Sequence, residues 1–402
     1  MPSDPASARQ GREPEERVDW LSLSPFLIHA MLIQFILSLT RVTTSYRVIE
    51  LDLPLVWYGL ISSGYALLPI FLAVPLGRYI DRGNDARAIW IGSGLLVAAG
   101  LGFCFVATAA VPILLLTVLS GIGHLFLMAG HQIYSVRCAG PIGREAVFGN
   151  YMVALAMGQM CGSLTISWLA QGLVVPPTSM LFILALLIAV VAFAVSFAIR
   201  PEVVSLSDFA PPPVSGVAEI LRVPGLAVVL LASVVTVSAI DLLVAYLPLL
   251  AVERNITAGQ VGILLTIRAV ATMAARIFHS RTLRLLGRAS ATLVSMLAGA
   301  LGFWILAAPV PVELMYAGMV MLGMGMGLAV TLCLSNVVDV APVHARGMAM
   351  TLRLTGNRIG QFIVPFGAGV VASSTGAGGI LFIIGLSVAA SGLAVRTAYI
   401  RR

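Results

Sequence analysis

Five charged side chains lie inside long apolar stretches of the sequence. They are Arg41, Asp241, Arg268, Arg353 and Arg358. A charge at the centre of a helix in hydrocarbon costs about 2.5–3.5 kcal/mol on insertion scales, so such residues usually serve a solute, an ion or a proton. Arginine suits bidentate contact with a carboxylate or a phosphate, and aspartate can take up and release a proton. These residue types therefore indicate anion binding and proton transfer.

Polar residues accompany these charges at helical spacing. One face carries Gln34, Ser38, Arg41 and Ser45. Ser238 and Asp241 repeat part of that face 200 residues later, and a further face carries Arg353, Asn357 and Gln361. Residues three or four apart share one side of a helix, so each set can line one wall of a cavity.

The composition defines the setting of these helices. The chain has 402 residues, of which 59% are hydrophobic and 10% charged, and its mean hydropathy is +1.01. Soluble domains carry about 25% charged residues, so the sequence predicts an integral membrane protein. The net charge of +7 comes from arginines spread between apolar runs. Loop topology explains this pattern better than binding to nucleic acid does.

The apolar runs have the length of membrane-spanning helices, about 20 residues each. They are too long and continuous for the alternating strands of a membrane barrel. The sequence predicts an all-α protein with twelve spans, at roughly 22–46, 55–77, 88–108, 111–133, 147–171, 178–199, 224–250, 258–278, 289–309, 312–337, 347–372 and 376–398.

Arginine positions predict the orientation of the spans. All 24 basic residues are arginine. With both termini in the cytoplasm, most of them fall in cytoplasmic segments and the external loops hold only Arg47 and Arg254, as the positive-inside rule requires. We therefore predict a multi-pass protein of the bacterial inner membrane. Its cytoplasmic tails would be residues 1–21, which are polar and predicted to be disordered, and residues 399–402.

The spans divide into two similar halves. The polar, proline-rich segment 200–223 is predicted to be a cytoplasmic linker between six-helix bundles at 22–199 and 224–398. Matched positions in the two halves are Ser38 and Ser238, Arg41 and Asp241, Tyr46 and Tyr246, and the pairs Gly158-Gln159 and Gly360-Gln361. Repeated halves with a site between them at mid-membrane are typical of secondary transporters.

The loop after the second span, PLGRYIDRGNDAR, carries a family signature. Gly77 is followed four residues later by Asp81-Arg82, and then by Arg87. With the twelve spans and the central linker, this loop resembles the major facilitator superfamily over the whole chain. Asn84 and Asp85 depart from the family pattern, which prefers Gly and a basic residue at these places.

Two motifs of drug/proton antiporters in that family are missing. Thr117 stands four residues before Gly121, where those antiporters often carry Arg. Gly158 is followed by Gln159 instead of Pro. Both departures count against a drug antiporter.

The resemblance implies a monomeric carrier that works by alternating access. Spans one, four, seven and ten would line its cavity, with help from two, five, eight and eleven. It also implies a cytoplasmic gate at the signature loop, formed by Gly77, Arg78, Asp81, Arg82 and Arg87. The alternative is that the arginines of this loop only set the topology.

The charge balance predicts the substrate. Four arginines against Asp241 leave about three uncompensated positive charges in a low-dielectric site, which is costly unless an anion binds. We predict a small organic anion, a carboxylate in preference to a phosphate ester. In this hypothesis the anion takes Arg41 from Asp241, which then takes up a proton and couples transport to it. The predicted substrate-binding residues are Arg41, Arg268, Arg358, Arg353, Asn357, Gln34, Ser38, Gln361, Gln159, Tyr46 and Tyr246.

Structural interpretations remain open for several of these residues. Arg41 and Arg353 can extend to the nearer membrane interface, and an Arg41–Asp241 pair can serve only to hold the halves together. Gln159 and Gln361 can pair spans through hydrogen bonds. His124 and His131, seven residues apart in span four, are alternative proton carriers or packed polar groups.

Other classes of function fit less well. No phosphate loop, metal-ligand cluster or nucleophile motif is present in the sequence, so we predict neither an enzyme nor a cofactor. The alternatives are a drug or lipophile efflux antiporter, whose cavity would be broad and apolar, and a non-transporting receptor of the same fold.

Overall fold

The computed structural model describes residues 20–137, 140–200, 221–342 and 345–400. Most of the predicted tail at 1–21 and of the predicted linker at 200–223 lies outside these ranges. The helices of the first half are α1 (Trp20–Glu50), α2 (Leu55–Asp81), α3 (Asp85–Phe105), α4 (Ala110–Arg137), α5 (Gly140–Ala170) and α6 (Thr178–Ser196). Those of the second half are α7 (Leu226–Glu253), α8 (Ala258–Ile277), α9 (His279–Ala307), α10 (Val312–Val340) and α11 (Arg346–Ile400).

The described residues thus form eleven helical elements, each long and apolar enough to cross a membrane. Their mean hydropathies run from 1.4 to 2.8. Large apolar side chains cover the outside, among them Phe71, Phe105 and Trp168. An apolar outer surface of this kind is stable against lipid hydrocarbon, where each helix satisfies its own backbone hydrogen bonds.

The last element, α11, reverses direction within its length. Its 55 residues would extend about 82 Å as one straight helix, against a hydrocarbon thickness of about 30 Å. Gly376 interrupts the helix with φ 65° and ψ −179°. Arg346 Nε donates to Val338 O at 3.1 Å, and Tyr399 Oη donates to Asp339 Oδ2 at 3.2 Å. Both ends of α11 therefore meet the same end of α10, and the chain turns back at Gly376.

The helices pack closely within each of these two sets and also across the boundary between the sets. In the first half α1 packs on α5 and α6, and α4 packs on α2 and α3; in the second, α11 packs on α7 and α9, and α10 packs on α8 and α9. The most extensive contacts between the halves, among the described residues, are those of α1 with α7, α2 with α11, and α5 with α8. The main core cluster continues from one half into the other and includes Tyr46, Tyr58 and Tyr246.

The halves are in close contact on one side of the molecule, which we call the closed side; it carries the loops 51–54, 171–177 and 254–257. Tyr58 Oη donates to Ala245 O at 2.5 Å, and Ala258 N donates to Leu173 O at 2.8 Å. Gly59 lies so near α11 that a Cβ atom there would be 2.6 Å from the Cα atom of Gly369. These contacts seal the interface between the halves on this side.

Candidate functional site

An ion pair joins the two halves at the centre of the bundle. Arg41 Nη1, on α1, donates to Asp241 Oδ1, on α7, at 2.7 Å. The side chains are 25% and 15% exposed. The guanidinium of Arg41 also lies over the ring of Tyr65, 4.8 Å from its centroid, in a cation–π arrangement. Arg41 thus has a charged partner and an aromatic partner in different helices.

Asp241 has a second partner in α11. Gln361 Nε2 donates to Asp241 Oδ2, so each carboxylate oxygen accepts a hydrogen bond. The amide oxygen of Gln361 accepts from Arg358 Nη1 at 3.2 Å. Arg41, Asp241, Gln361 and Arg358 therefore form one chain of contacts from α1 through α7 to α11. Rotation of either half relative to the other would change it.

A central cavity of about 400 Å³ opens beside this chain of contacts. Helices of both halves contribute to its wall, whose residues are Gln34, Leu37, Ser38, Arg41, Tyr65, His124, Gln159, Ser163, Val244, Leu265 and Arg268. The structure thus brings together Gln34, Ser38, Gln159, Arg41 and Arg268, five of the residues for which the sequence predicts substrate binding.

Arg268 is the least satisfied group in this wall. Its side chain belongs to a residue only 4% exposed, and Nε and Nη2 are buried with no hydrogen-bond partner among the described residues. A buried charge is normally paired, because leaving one of its donors unsatisfied costs about 1–3 kcal/mol or more. Arg268 lines the central cavity, and a guanidinium there suits contact with an anion.

Ser38 and Gln159 also connect helices. Ser38 Oγ donates to the backbone oxygen of Gln159 at 3.2 Å and lies 3.3 Å from Ser163 Oγ. Gly162 sits against the same serine, since a Cβ there would be 2.9 Å from Ser38 Cβ. These contacts hold α1 close to α5, while Gln159 also lines the cavity.

Four further candidates lie away from the central cavity. Tyr246 Oη donates to Pro365 O at 3.2 Å, and Asn357 Oδ1 accepts from Ser233 Oγ at 3.1 Å, so both tie α7 to α11. Tyr46 is fully buried in the main core. Arg353 has its Nε atom buried without a hydrogen-bond partner among the described residues, and it does not line the central cavity.

A larger cavity, of about 730 Å³, lies within the first half, where the sequence predicts no separate site. Its wall comes from α1, α2, α3, α4 and α6, with Ala245 from α7. It shares Leu37, Arg41 and Tyr65 with the central cavity, so the two spaces meet at these side chains. The sequence feature that points to this cavity is the presence of Thr40 and Thr44 beside Arg41 on α1.

The two histidines of α4 lie in different environments. His124 lines the central cavity, with its ring centroid 5.5 Å from that of Tyr65. His131 is buried instead against His29, with His29 Nδ1 2.8 Å from His131 Nε2, and Ser93 Oγ lies 2.9 Å from His29 Nε2. Sequence reasoning misses the partnership of His29, because a single histidine near a helix start carries no spacing signal.

The predicted gating loop contains one partner of a buried ion pair. Arg137 Nη1, at the end of α4, lies 2.7 Å from Asp85 Oδ1, at the start of α3, with side chains 4% and 2% exposed. Arg78, Arg82 and Arg87 are exposed, Gly77 is half-buried, and the side chain of Asp81 lies outside the described part of the structure. In the sequence Asp85 stands out only as a departure from the family pattern. The sequence feature that indicates the pairing of Asp85 with Arg137 is the presence of opposite charges at the ends of adjacent spans.

The described residues include no group of three or more His, Cys, Asp and Glu side chains that could hold a metal ion. The helices, the seam between two bundles and the polar cavity at that seam define a multi-pass membrane carrier. The sequence profile of the Major Facilitator Superfamily matches residues 26–254 and 229–402. The chain belongs to this superfamily and is a transporter, not an enzyme.

Solved structures share this fold at low sequence identity. A variant of the nucleoside transporter NupG superposes with a TM-score of 0.82 at 13% identity, covering 94% of this chain and 100% of its own. The xylose transporter XylE from E. coli, in an inward open conformation, gives 0.74 at 13% identity, covering 94% and 96%. A bacterial homolog of the human lysosomal transporter Spinster, inward-facing and unoccupied, gives 0.69 at 14% identity, covering 96% of each chain. No curated protein matches in sequence.

Proposed function

We propose that this transporter moves a small organic anion, with a carboxylate as the first candidate. It does so by alternating access and transports a proton together with the anion. The observation that carries the proposal is Arg268. Its guanidinium is buried at the central cavity with two unpartnered nitrogens among the described residues, and Arg41 lines the same cavity. No Asp or Glu stands among the described residues of that cavity wall. An anion would lower the cost of this arrangement more than a neutral or cationic solute.

The proposal assigns Asp241 to the proton. In the ligand-free arrangement Arg41 and Gln361 hold the two oxygens of Asp241. An anion that enters the central cavity competes for Arg41, and the carboxylate then takes up a proton to avoid a buried, unpaired charge. Binding of the substrate anion and binding of the proton are therefore coupled. His124, at the same cavity, is the alternative proton carrier.

We propose a topology of twelve spans, with the two runs of α11 on either side of Gly376 as separate helices. The positive-inside rule then places both termini in the cytoplasm and the closed side outside the cell, in a bacterial inner membrane. The contacts of Tyr58 with Ala245 and of Ala258 with Leu173 would belong to the external gate. In this proposal a sealed external side corresponds to an inward-facing arrangement, and the loop at Asp81 belongs to the opposite, cytoplasmic gate.

A ligand screen in lipid nanodiscs tests the substrate class. Thermal unfolding of the purified chain is followed with mono- and dicarboxylates, phosphate esters, nucleosides, sugars and lipophilic cations. A ligand of the folded state raises the melting temperature by mass action. We expect stabilisation by carboxylates, its loss in Arg268→Gln, and its retention in Arg284→Gln, an exposed control. Stabilisation by nucleosides, sugars or cations alone would overturn the anion assignment.

Efflux of drugs or lipophiles is the second candidate, and the largely apolar wall of the larger cavity favours it. Reconstituted vesicles separate it from the first. Anion uptake that needs Arg268 supports the proposal, whereas proton-driven extrusion of lipophilic cations supports efflux. Binding of a ligand without flux of any kind would favour a receptor.

A further inference from the structure

The two cavities meet at one wall, which has a different character on each side. Leu37, Arg41 and Tyr65 belong to both. On the central side lie Arg268, Gln34 and further polar groups. On the other side the larger cavity extends into the first half, between α1, α2, α3, α4 and α6. Arg41 therefore marks the boundary between a charged space and a mostly uncharged one.

Several hydroxyl groups of the larger cavity already have acceptors within the protein. Four of the eight in its wall donate to the backbone oxygen four residues earlier in their own helix. These bonds are Thr44 Oγ1 to Thr40 O at 2.8 Å, Ser45 Oγ to Arg41 O at 3.3 Å, Thr117 Oγ1 to Ile113 O at 2.8 Å and Ser120 Oγ to Leu116 O at 3.0 Å. A hydroxyl whose proton is used in this way presents mainly its acceptor lone pairs and its carbon atoms.

Apolar side chains make up much of the remaining wall. It includes Ile36, Ile61, Leu96, Phe103 and Ala185. Apart from Arg41, no charged residue stands among the described residues of the wall. The space amounts to about 730 Å³ when the open solvent at its mouth is included. An uncharged, mainly hydrocarbon group gains most from burial in such a space.

We propose that the substrate is an amphiphilic carboxylate. Its head group binds Arg268 and Arg41 in the central cavity, and its apolar body occupies the larger cavity beyond Arg41. This proposal rests on the proposed anion transport and adds an apolar body to the carboxylate head group of the substrate. It also accounts for the position of Arg41, which lies where the charged end of such a molecule joins its apolar end.

A homologous series of ligands tests the apolar site. Binding of acetate, butanoate, hexanoate and octanoate to the full chain in nanodiscs is measured by calorimetry, with the matching alcohols and amines as controls for membrane partitioning. We expect affinity for carboxylates to rise about fourfold per added methylene, which equals ~0.8 kcal/mol, until the cavity is filled. The alcohols and amines should bind more weakly at every length.

Variants that fill the larger cavity test whether the dependence of affinity on chain length arises there. Ala185→Leu and Ser62→Leu add side-chain volume to its wall and should flatten the dependence on chain length while acetate still binds. Ala194→Leu, exposed on the same helix as Ala185, should leave the dependence unchanged. Ser62→Leu provides an independent measurement if Ala185→Leu reduces folding yield.

The outcomes separate this proposal from the one on which it rests. Equal affinity for short and long carboxylates, lost in Arg268→Gln, would overturn the apolar site and leave anion transport standing. Alcohols and amines that bind as tightly as carboxylates would overturn both. A length dependence that persists in both filling variants would place the apolar body elsewhere and overturn the assignment to this cavity.

Discussion

Arg41 Nη1 lies 2.7 Å from Asp241 Oδ1, and this ion pair spans the seam between the two halves of the chain. The residues are 200 positions apart, at places that the sequence predicts to be matched in two related halves. In that prediction each half supplies one charge. An ion pair across the seam favours the arrangement in which both partners are in reach, and it can bias the equilibrium between arrangements.

Removing one partner should destabilise the transporter more than removing both. Asp241→Asn leaves Arg41 partly buried beside a neutral group, and we expect a loss of about 1–3 kcal/mol and a lower melting temperature. Arg41→Gln together with Asp241→Asn should recover part of this loss, with a coupling energy of about 0.5–3 kcal/mol in a double-mutant cycle. Intrinsic tryptophan fluorescence during unfolding gives the values. Simple additivity of the two single variants would show that the pair contributes nothing.

Proton coupling through Asp241 predicts a pH-dependent flux. Uptake of the anion into vesicles should increase as the external pH is lowered, with acidification of the lumen in step with uptake. Asp241→Asn should remove both the pH dependence and the proton movement, while binding of the anion persists. His124→Gln, at the same cavity, serves as the matched control and should retain both. If Asp241→Asn keeps its pH-driven uptake, the proton travels by another group.

Arg268 should lower the stability of the ligand-free transporter while it contributes to binding of the carboxylate. Its two unpartnered nitrogens are a cost in the empty protein. Arg268→Gln should therefore raise the stability of the ligand-free transporter by about 1–3 kcal/mol and abolish the stabilisation that a carboxylate gives to the parent. Arg284→Gln should change neither. Melting temperatures with and without ligand measure both effects, and a fall in ligand-free stability would show that Arg268 has a structural partner.

The elements of the central site were largely predictable from sequence. Helical spacing placed Gln34, Ser38 and Arg41 on one face, and the cost of charge in hydrocarbon singled out Asp241 and Arg268. Repeats and apolar length indicated two halves around a central cavity, and the Major Facilitator Superfamily match confirms the family. The prediction that these residues bind substrate stays a prediction.

Side-chain contacts and cavities were harder to predict from the sequence. Apolar residues that line the larger cavity have the same types as residues packed in a core, so no pattern distinguishes Leu96 or Phe103 from a core side chain. The contact of His29 with His131 depends on how α1 and α4 are rotated against each other. Tyr46 and Tyr246 fit the repeat, yet they lie in the core, because a matched position fixes a residue's depth and not the neighbour that its ring meets.

The buried pair of Asp85 and Arg137 should be essential for folding on its side of the molecule. Arg137→Gln removes the cation that lies 2.7 Å from a carboxylate only 2% exposed, and breaking a buried pair in this way typically costs about 3–5 kcal/mol. We expect a clear fall in melting temperature and in the yield of folded protein. Arg87→Gln removes only an exposed contact with Asn84 and should cost less than about 0.5 kcal/mol. Equal losses in the two variants would contradict the importance of burial for this pair.

Close packing on the closed side predicts that a larger side chain at Gly59 will separate the halves there. A Cβ atom at Gly59 would lie 2.6 Å from Gly369 Cα, so Gly59→Val forces α2 and α11 apart. Gly367→Val is the matched control on α11, because nothing lies within 4 Å of a Cβ at that position. We expect the first variant, and not the second, to shift the transporter toward the arrangement open on this side.

Spin labels report this shift directly. Val106→Cys in the first half and Glu313→Cys in the second are exposed positions near the closed side. Their distance distribution is measured in a background with the native cysteines replaced. A longer or broader distribution in Gly59→Val than in Gly367→Val is expected, because the steric cost falls only on the sealed arrangement and leaves the open one unaffected. A folded Gly59→Val protein with the parent distribution would mean that α2 and α11 accommodate the valine locally, and that the seal does not depend on their close approach.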